Sequence, residues 1–134
     1  MLDRLTNSLD FQTQALVLRS ERQRLIASNI ANADTPGYRA RDMDFAAALR
    51  EATGAARPAH TLSATQGGHL SPAAGARAEA GLKYATPSQT NLDSNSVDMD
   101  RERAAFADNA VHYEATLRFI NGSVRTLLSA ITGQ

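Results

Sequence analysis

The sequence contains no cysteine. Disulfides, thiolate metal sites and cysteine nucleophiles are therefore excluded, and the redox compartment is left open. Charge of one sign is not in excess either: 14 basic and 14 acidic residues cancel. A polyanion-binding chain normally carries a basic surplus, so nucleic acid is a poor candidate partner. A long apolar run is also missing. The start, MLDRLTNSLDFQ, is interrupted by Asp3 and Asp10 and does not read as a cleaved Sec-type signal. Nothing later is long and apolar enough to span a bilayer. The expectation is a chain that stays in the cytoplasm or leaves by a route needing no cleaved signal. Finally, glycine and proline are absent from residues 1 to 35, which removes the common helix breakers from the first quarter of the chain.

What is present reads as mainly α. At 134 residues the chain is expected to form one structural domain. Residues 1–34 carry two imperfect helical stripes. Leu2, Leu5, Leu9 and Leu16 lie on one, resumed by Ile26 and Ile30; Phe11, Ala15, Leu18 and Leu25 lie on the other. Two stripes predict contacts on more than one side. Arg19, Arg22 and Arg24 make a small basic cluster that suits a solvated face or an ionic contact with a neighbouring chain.

The strongest pattern is in residues 98–134. Met99, Arg103, Phe106, Ala110, Tyr113, Leu117, Ile120, Val124, Leu127 and Ile131 alternate spacings of four and three. This is a coiled-coil-type seam with only Arg103 charged. Asp98 is the expected N-cap, with Asp100 and Glu102 in the first turn where the helix dipole favours them. Gly133 closes the helix. Gly122 within it fits either kink tolerance or the close approach of another helix.

Residues 35–97 connect the two. DFAAALREATG predicts a short helix capped by Asp44 and ended by Gly54. The following Ala-, Gly- and Ser-rich stretch is too poor in large apolar residues to offset ordering entropy and predicts a flexible loop. Short extended pieces fit near His69-Leu70 and Lys83-Tyr84-Ala85. The expected fold is thus two long terminal helices in an antiparallel, coiled-coil-like pair. A poorly packed segment joins them, and apolar surface is left over for other chains.

Catalytic constellations are lacking. His60, His69 and His112 fall at no metal-ligand spacing, no Gly-x-Ser-x-Gly elbow exists, and no phosphate-binding glycine motif is present. NLDSNSVDMDRE, residues 91–102, places Asn91, Asp93, Asn95 and Glu102 near a calcium-loop spacing. Ser96 replaces the required glycine, however, and no amphipathic helix precedes it. Turn formation and helix capping explain the stretch better. No catalytic residue, cofactor or metal ligand is assigned.

One stretch stands apart. In NIANADTPGY, residues 29–38, Thr35-Pro36-Gly37-Tyr38 fits a type II turn. Because the residue before proline avoids the helical region, the helix must end by Asp34. Asn29 and Asn32 sit one turn apart, where their amides can bond the last free helix carbonyls or the backbone of another subunit.

Asn29, Ala31, Asn32, Thr35, Pro36, Gly37 and Tyr38 match without departure the N-terminal signature Asn-x-Ala-Asn-x-x-Thr-Pro-Gly-Tyr. In this the chain resembles the bacterial flagellar rod and hook proteins. The continuation ARDMDF, the start MLDRLTNSLDFQTQAL and the entry NSVDMDRE are similar to the proximal-rod branch of that family more than to its FlgC type. The resemblance covers roughly residues 1–50 and 88–132. It implies a non-catalytic building block of the basal-body rod, a hollow helical tube, on the periplasmic side of the inner membrane. The terminal helices would pack through Phe106, Ala110, Tyr113, Leu117, Ile120, Val124, Leu127 and Ile131. The implied partners are copies of the chain, FlgC-type rod proteins, the adaptor protein FliE, the membrane-ring protein at the rod base and the flagellar export apparatus. The contrasting expectation from another class is a cytoplasmic helical adaptor or chaperone.

Overall fold

The computed structural model describes residues 2–54, 82–86 and 92–133. Its elements in chain order are α1 (Leu2–Ala31), β1 (Arg41–Met43), α2 (Phe45–Ala52), β2 (Leu82–Tyr84) and α3 (Met99–Thr132). The Ala-, Gly- and Ser-rich stretch, with His60 and the extended piece expected near His69, lies outside the described residues.

Two helices dominate. With 30 residues in α1 and 34 in α3, each is on the order of 45–50 Å long. They run antiparallel: Asn29 meets Glu102 and Arg19 meets Asn109. The caps fall where local chemistry requires. Asp98 stays extended at φ −104°, and its carboxylate accepts from the amides of Asp100 and Arg101 at 3.1 and 3.2 Å. At the far end Gly133 turns left-handed at φ +73° and its amide bonds the Ser129 carbonyl. Asp44 caps α2 through the Ala47 amide at 3.0 Å.

The two short strands pair antiparallel, with Arg41 opposite Tyr84 and Met43 opposite Leu82. They tie the segment after α1 to the segment approaching α3. α2 packs back on α1, where the Arg19 guanidinium lies 4.4 Å from the centre of the Phe45 ring.

The apolar core is small: Ala15, Leu18 and Ile26 on α1, with Ala40, Met43 and Val97 from the connecting segments. α3 contributes no apolar side chain to it. The residues that α3 buries are Glu102, Asn109 and Thr116. The face α3 turns to α1 is therefore offset from its apolar seam, and the seam divides. Tyr113, Ile120 and Leu127 flank the α1 contact and are half-buried, whereas Phe106, Ala110, Leu117, Val124 and Ile131 are exposed. Val111, Phe119 and Leu128 are exposed as well. Among the described residues, and apart from the helix's own backbone, no atom stands within 4 Å of where a side chain at Gly122 would begin.

Candidate functional site: the joint between the helices

Among the described residues, the largest side chains fully withdrawn from solvent are three asparagines, Asn29, Asn95 and Asn109. Buried amides need partners for two donor hydrogens and a carbonyl. Two of the three satisfy theirs at the joint where α1 ends.

Asn29 is the hub. Its Nδ2 donates to the Arg41 carbonyl at 2.8 Å and to Glu102 Oε1 at 3.2 Å. Its Oδ1 accepts from the Arg41 amide at 3.1 Å and from the Tyr38 hydroxyl at 3.3 Å. One amide thus fastens α1 to the turn, to β1 and to α3. The Tyr38 hydroxyl also meets Ser28 Oγ at 3.3 Å, so its ring leans back along α1 from beyond the turn.

Asn32 acts locally. Its Nδ2 donates to the Ser28 carbonyl at 2.8 Å, and its Oδ1 accepts from the Thr35 hydroxyl at 3.2 Å. Of the two destinations open to the asparagines from sequence, a free helix carbonyl takes Asn32. Asn29 reaches backbone of its own chain across the joint.

The turn itself has the expected form. The Tyr38 amide donates to the Thr35 carbonyl at 3.2 Å, and Gly37 has φ +71°. Among the described residues, a side chain at Gly37 would meet nothing within 4 Å. Backbone conformation alone, not crowding, requires glycine there.

Asn95, distant in sequence, completes the joint. Its Nδ2 lies 3.0, 2.7 and 2.9 Å from the carbonyl oxygens of Asn32, Ala33 and Thr35. Its Oδ1 accepts from the Val97 amide at 2.8 Å. These carbonyls lie just beyond the last residue of α1; one amide from 63 residues downstream clamps the turn that follows the helix. Ser94 adopts the left-handed region at φ 60°, uncommon outside glycine, and turns the chain just before Asn95. Residues 93–96 then run beside the turn. The Gly37 amide donates to Asp93 O, Ser96 N to Tyr38 O, and Ala40 N to Ser96 Oγ, at 2.8, 3.0 and 2.8 Å. The calcium-like spacing is thereby explained by other duties: Asp93, Asn95, Ser96 and Glu102 all hold the joint.

The electrostatics are modest. Burial pushes the Glu102 carboxyl above the usual glutamate range; the Asn29 bond opposes this and Asp42 adds to it. Burial, then the neighbouring Arg22, lower Arg19, while Asp108 opposes. Arg22 Nε stands 3.9 Å from Asp42 Oδ1, too far and too exposed to contribute much. Among the described residues no group of histidines and carboxylates is arranged to hold a metal ion, and no helix is long and apolar enough to cross a membrane.

The joint gathers Asn29, Asn32, Thr35, Gly37 and Tyr38 into one hydrogen-bonded unit. Ala31, Thr35, Pro36 and Gly37 form its exposed outer surface. Asn95, Ser96 and Glu102 belong to the same unit, although the sequence placed them in a cap and a first helical turn. The polar period of seven in Glu102, Asn109 and Thr116 was the available signal for an inward polar face.

A family model for flagella basal body rod proteins matches residues 9–39, the second part of α1 and the turn. Full-length relatives extend the match. The flagellar basal body rod protein FlgB of Proteus mirabilis strain HI4320 is 47% identical over 98% of this chain and 98% of its own. FlgB of Escherichia coli K12 is 44% identical over 98% and 97%, and FlgB of Cereibacter sphaeroides 41% over 96% and 96%. The region that the signature left uncompared is thus spanned as well, and the proximal-rod type is favoured over the FlgC type. With the joint conforming to the signature and the likeness running end to end, the chain belongs to the FlgB family of flagellar basal body rod proteins, whose members are structural and not enzymes.

Proposed function

We propose that the chain is a subunit of the proximal rod that assembles side by side, through its terminal helices, into the hollow axial tube that transmits torque. The observation that carries this reading is the mismatch on α3. Its 34 residues bury no apolar side chain within the chain, while Phe106, Val111, Leu117, Phe119, Val124, Leu128 and Ile131 are exposed. Monomeric proteins rarely expose so extended an apolar surface. Neighbouring subunits covering Ala110, Leu117, Val124 and Ile131 on one side and Phe119 on another would bury it. The joint would hold the angle at which the chain leaves α1, so that every copy presents the same outer surface.

In this reading the neighbours are further copies and FlgC-type rod proteins. The adaptor FliE and the membrane-ring protein lie at the rod base, on the periplasmic side of the inner membrane. The chain reaches them through the flagellar export apparatus. A small core and an absence of cysteine suit a chain threaded through a channel unfolded.

The test is Leu117→Asp, introduced into the chromosomal gene and followed by secretion assay, motility and electron microscopy of basal bodies. Normal secretion with no rod beyond the base is the expected result. Motile cells with intact rods would overturn the proposal that this face packs in the assembly.

A further inference from the structure

Glu102, Asn109 and Thr116 are the side chains α3 buries, and they stand seven residues apart. Seven residues is close to two helical turns, so the three form one line toward α1. Apolar residues would bury more favourably there, and α3 has apolar residues one position away in Arg103's line: Ala110, Leu117 and Val124.

Two of the three reach across. Glu102 Oε1 accepts from Asn29 Nδ2 at 3.2 Å. Asn109 Nδ2 donates to the Arg19 carbonyl at 2.9 Å and to the Gln23 side chain. Thr116 bonds back to the His112 carbonyl of its own helix and is indifferent to what lies opposite. Asn109 Oδ1 has no protein partner. A buried, half-satisfied amide is a poor stabiliser. Its value lies in selection: a polar group at one seam position rejects any facing helix that cannot complete its hydrogen bonds.

The chain's own α1 supplies partners for Glu102 Oε1 and for the Asn109 donor. Asn29 and Gln23 are six residues apart on α1 and meet Glu102 and Asn109, seven apart on α3. The exposed line Ala110, Leu117, Val124 and Ile131 of another copy offers no polar group to either.

We infer that Glu102 and Asn109 select the chain's own α1 as the occupant of α3's inner face and exclude the apolar helix faces of other copies from it. The outer apolar line is left for neighbours. The inference rests on the side-by-side assembly only for the identity of the excluded competitors. Its test is made on purified chain in dilute solution, so it fails or holds apart from rod formation.

The experiment compares the full-length chain with Asn109→Leu by thermal melting and by sedimentation velocity over a concentration series. The leucine variant should melt higher and self-associate at least roughly tenfold more tightly, the gap expected when a polar seam residue stops discriminating. Glu102→Leu tests the second rung independently and should also raise self-association, so a folding failure in one variant leaves the other decisive. An Asn109→Leu chain that sediments as the natural one does would overturn the inference. So would one that melts lower without added association, since the asparagine would then serve cohesion alone.

Discussion

Asn29 and Glu102 meet at 3.2 Å although 73 residues separate them. The contact places a carboxylate in a buried position with an amide, not a cation, as its partner. Burial raises its proton affinity in the folded chain above that of the unfolded one. The folded state therefore holds the proton more tightly. The stabilising contribution is fully present below the unfolded glutamate value and is lost as pH rises through the raised folded value. Thermal melts should show the natural chain gaining stability from neutral toward mildly acidic pH relative to Glu102→Gln. The glutamine keeps the acceptor for Asn29 without the charge, so it should melt higher at neutral pH and lack this part of the slope. Identical slopes in the two chains would show that Glu102 does not titrate across that window.

Asn95 supplies donors to the turn that follows α1. Asn95→Ala should cost about 1–3 kcal/mol, because three backbone carbonyls lose their side-chain partner in a buried place. Asn95→Asp should be worse than alanine, since a carboxylate would face the same carbonyls with no hydrogen to offer. Hydrogen exchange at the Gly37 and Tyr38 amides reports the joint directly, and both variants should accelerate it. Aspartate tolerated better than alanine would contradict the donor role.

Gly37 holds φ +71° with open space around it. Gly37→Val should cost about 1–3 kcal/mol of backbone strain, and Gly37→Asn much less, since asparagine enters the left-handed region more readily. The order glycine, asparagine, valine should appear in melting temperature and in rod incorporation, with expression unchanged. A valine variant that builds rods normally would reduce the turn to a helix stop.

Leu117 and Ile120 separate two effects of one kind of substitution. Leu117 is exposed in the single chain, whereas Ile120 is half-buried beside the α1 contact. Leu117→Asp should leave the melting temperature of the purified chain nearly unchanged. Ile120→Asp should lower the stability of the chain by about 1–3 kcal/mol, through partial burial of an unpaired charge. Circular dichroism melts of the two purified variants decide between them.

Much of the fold was legible in the sequence because its determinants are local. Freedom from glycine and proline marked α1, Asp98 and Asp44 announced their helices, and Thr35-Pro36-Gly37-Tyr38 specified its turn. The orientation of α3 was not legible. An apolar seam states that a face is buried in the working protein; it does not state whether the same chain or a neighbour covers it. Glu102 read as a first-turn acid facing the helix dipole and Asn109 drew no reading at all, because a residue's burial depends on what folds over it. Asn95 was hidden for a related reason: the carbonyls it satisfies are distant in sequence, and an asparagine in a turn already has an adequate local explanation. The pairing of β1 with β2 involves three residues each, too few for alternation to show.

The Asn95 clamp also sets an order of events. In a chain that emerges amino end first, α1 is complete while the residue that clamps its joint is still 63 residues behind. Its contacts with Glu102 and Asn109 lie 73 and 90 residues behind. During most of that passage the helix has its local Asn32 donor but no partner helix, and a lone helix in water is marginal. The final forty or so residues therefore act as a timing device. Until they arrive, the first helix can melt and re-form freely; once they do, a single closure fixes the joint and the helix pair together.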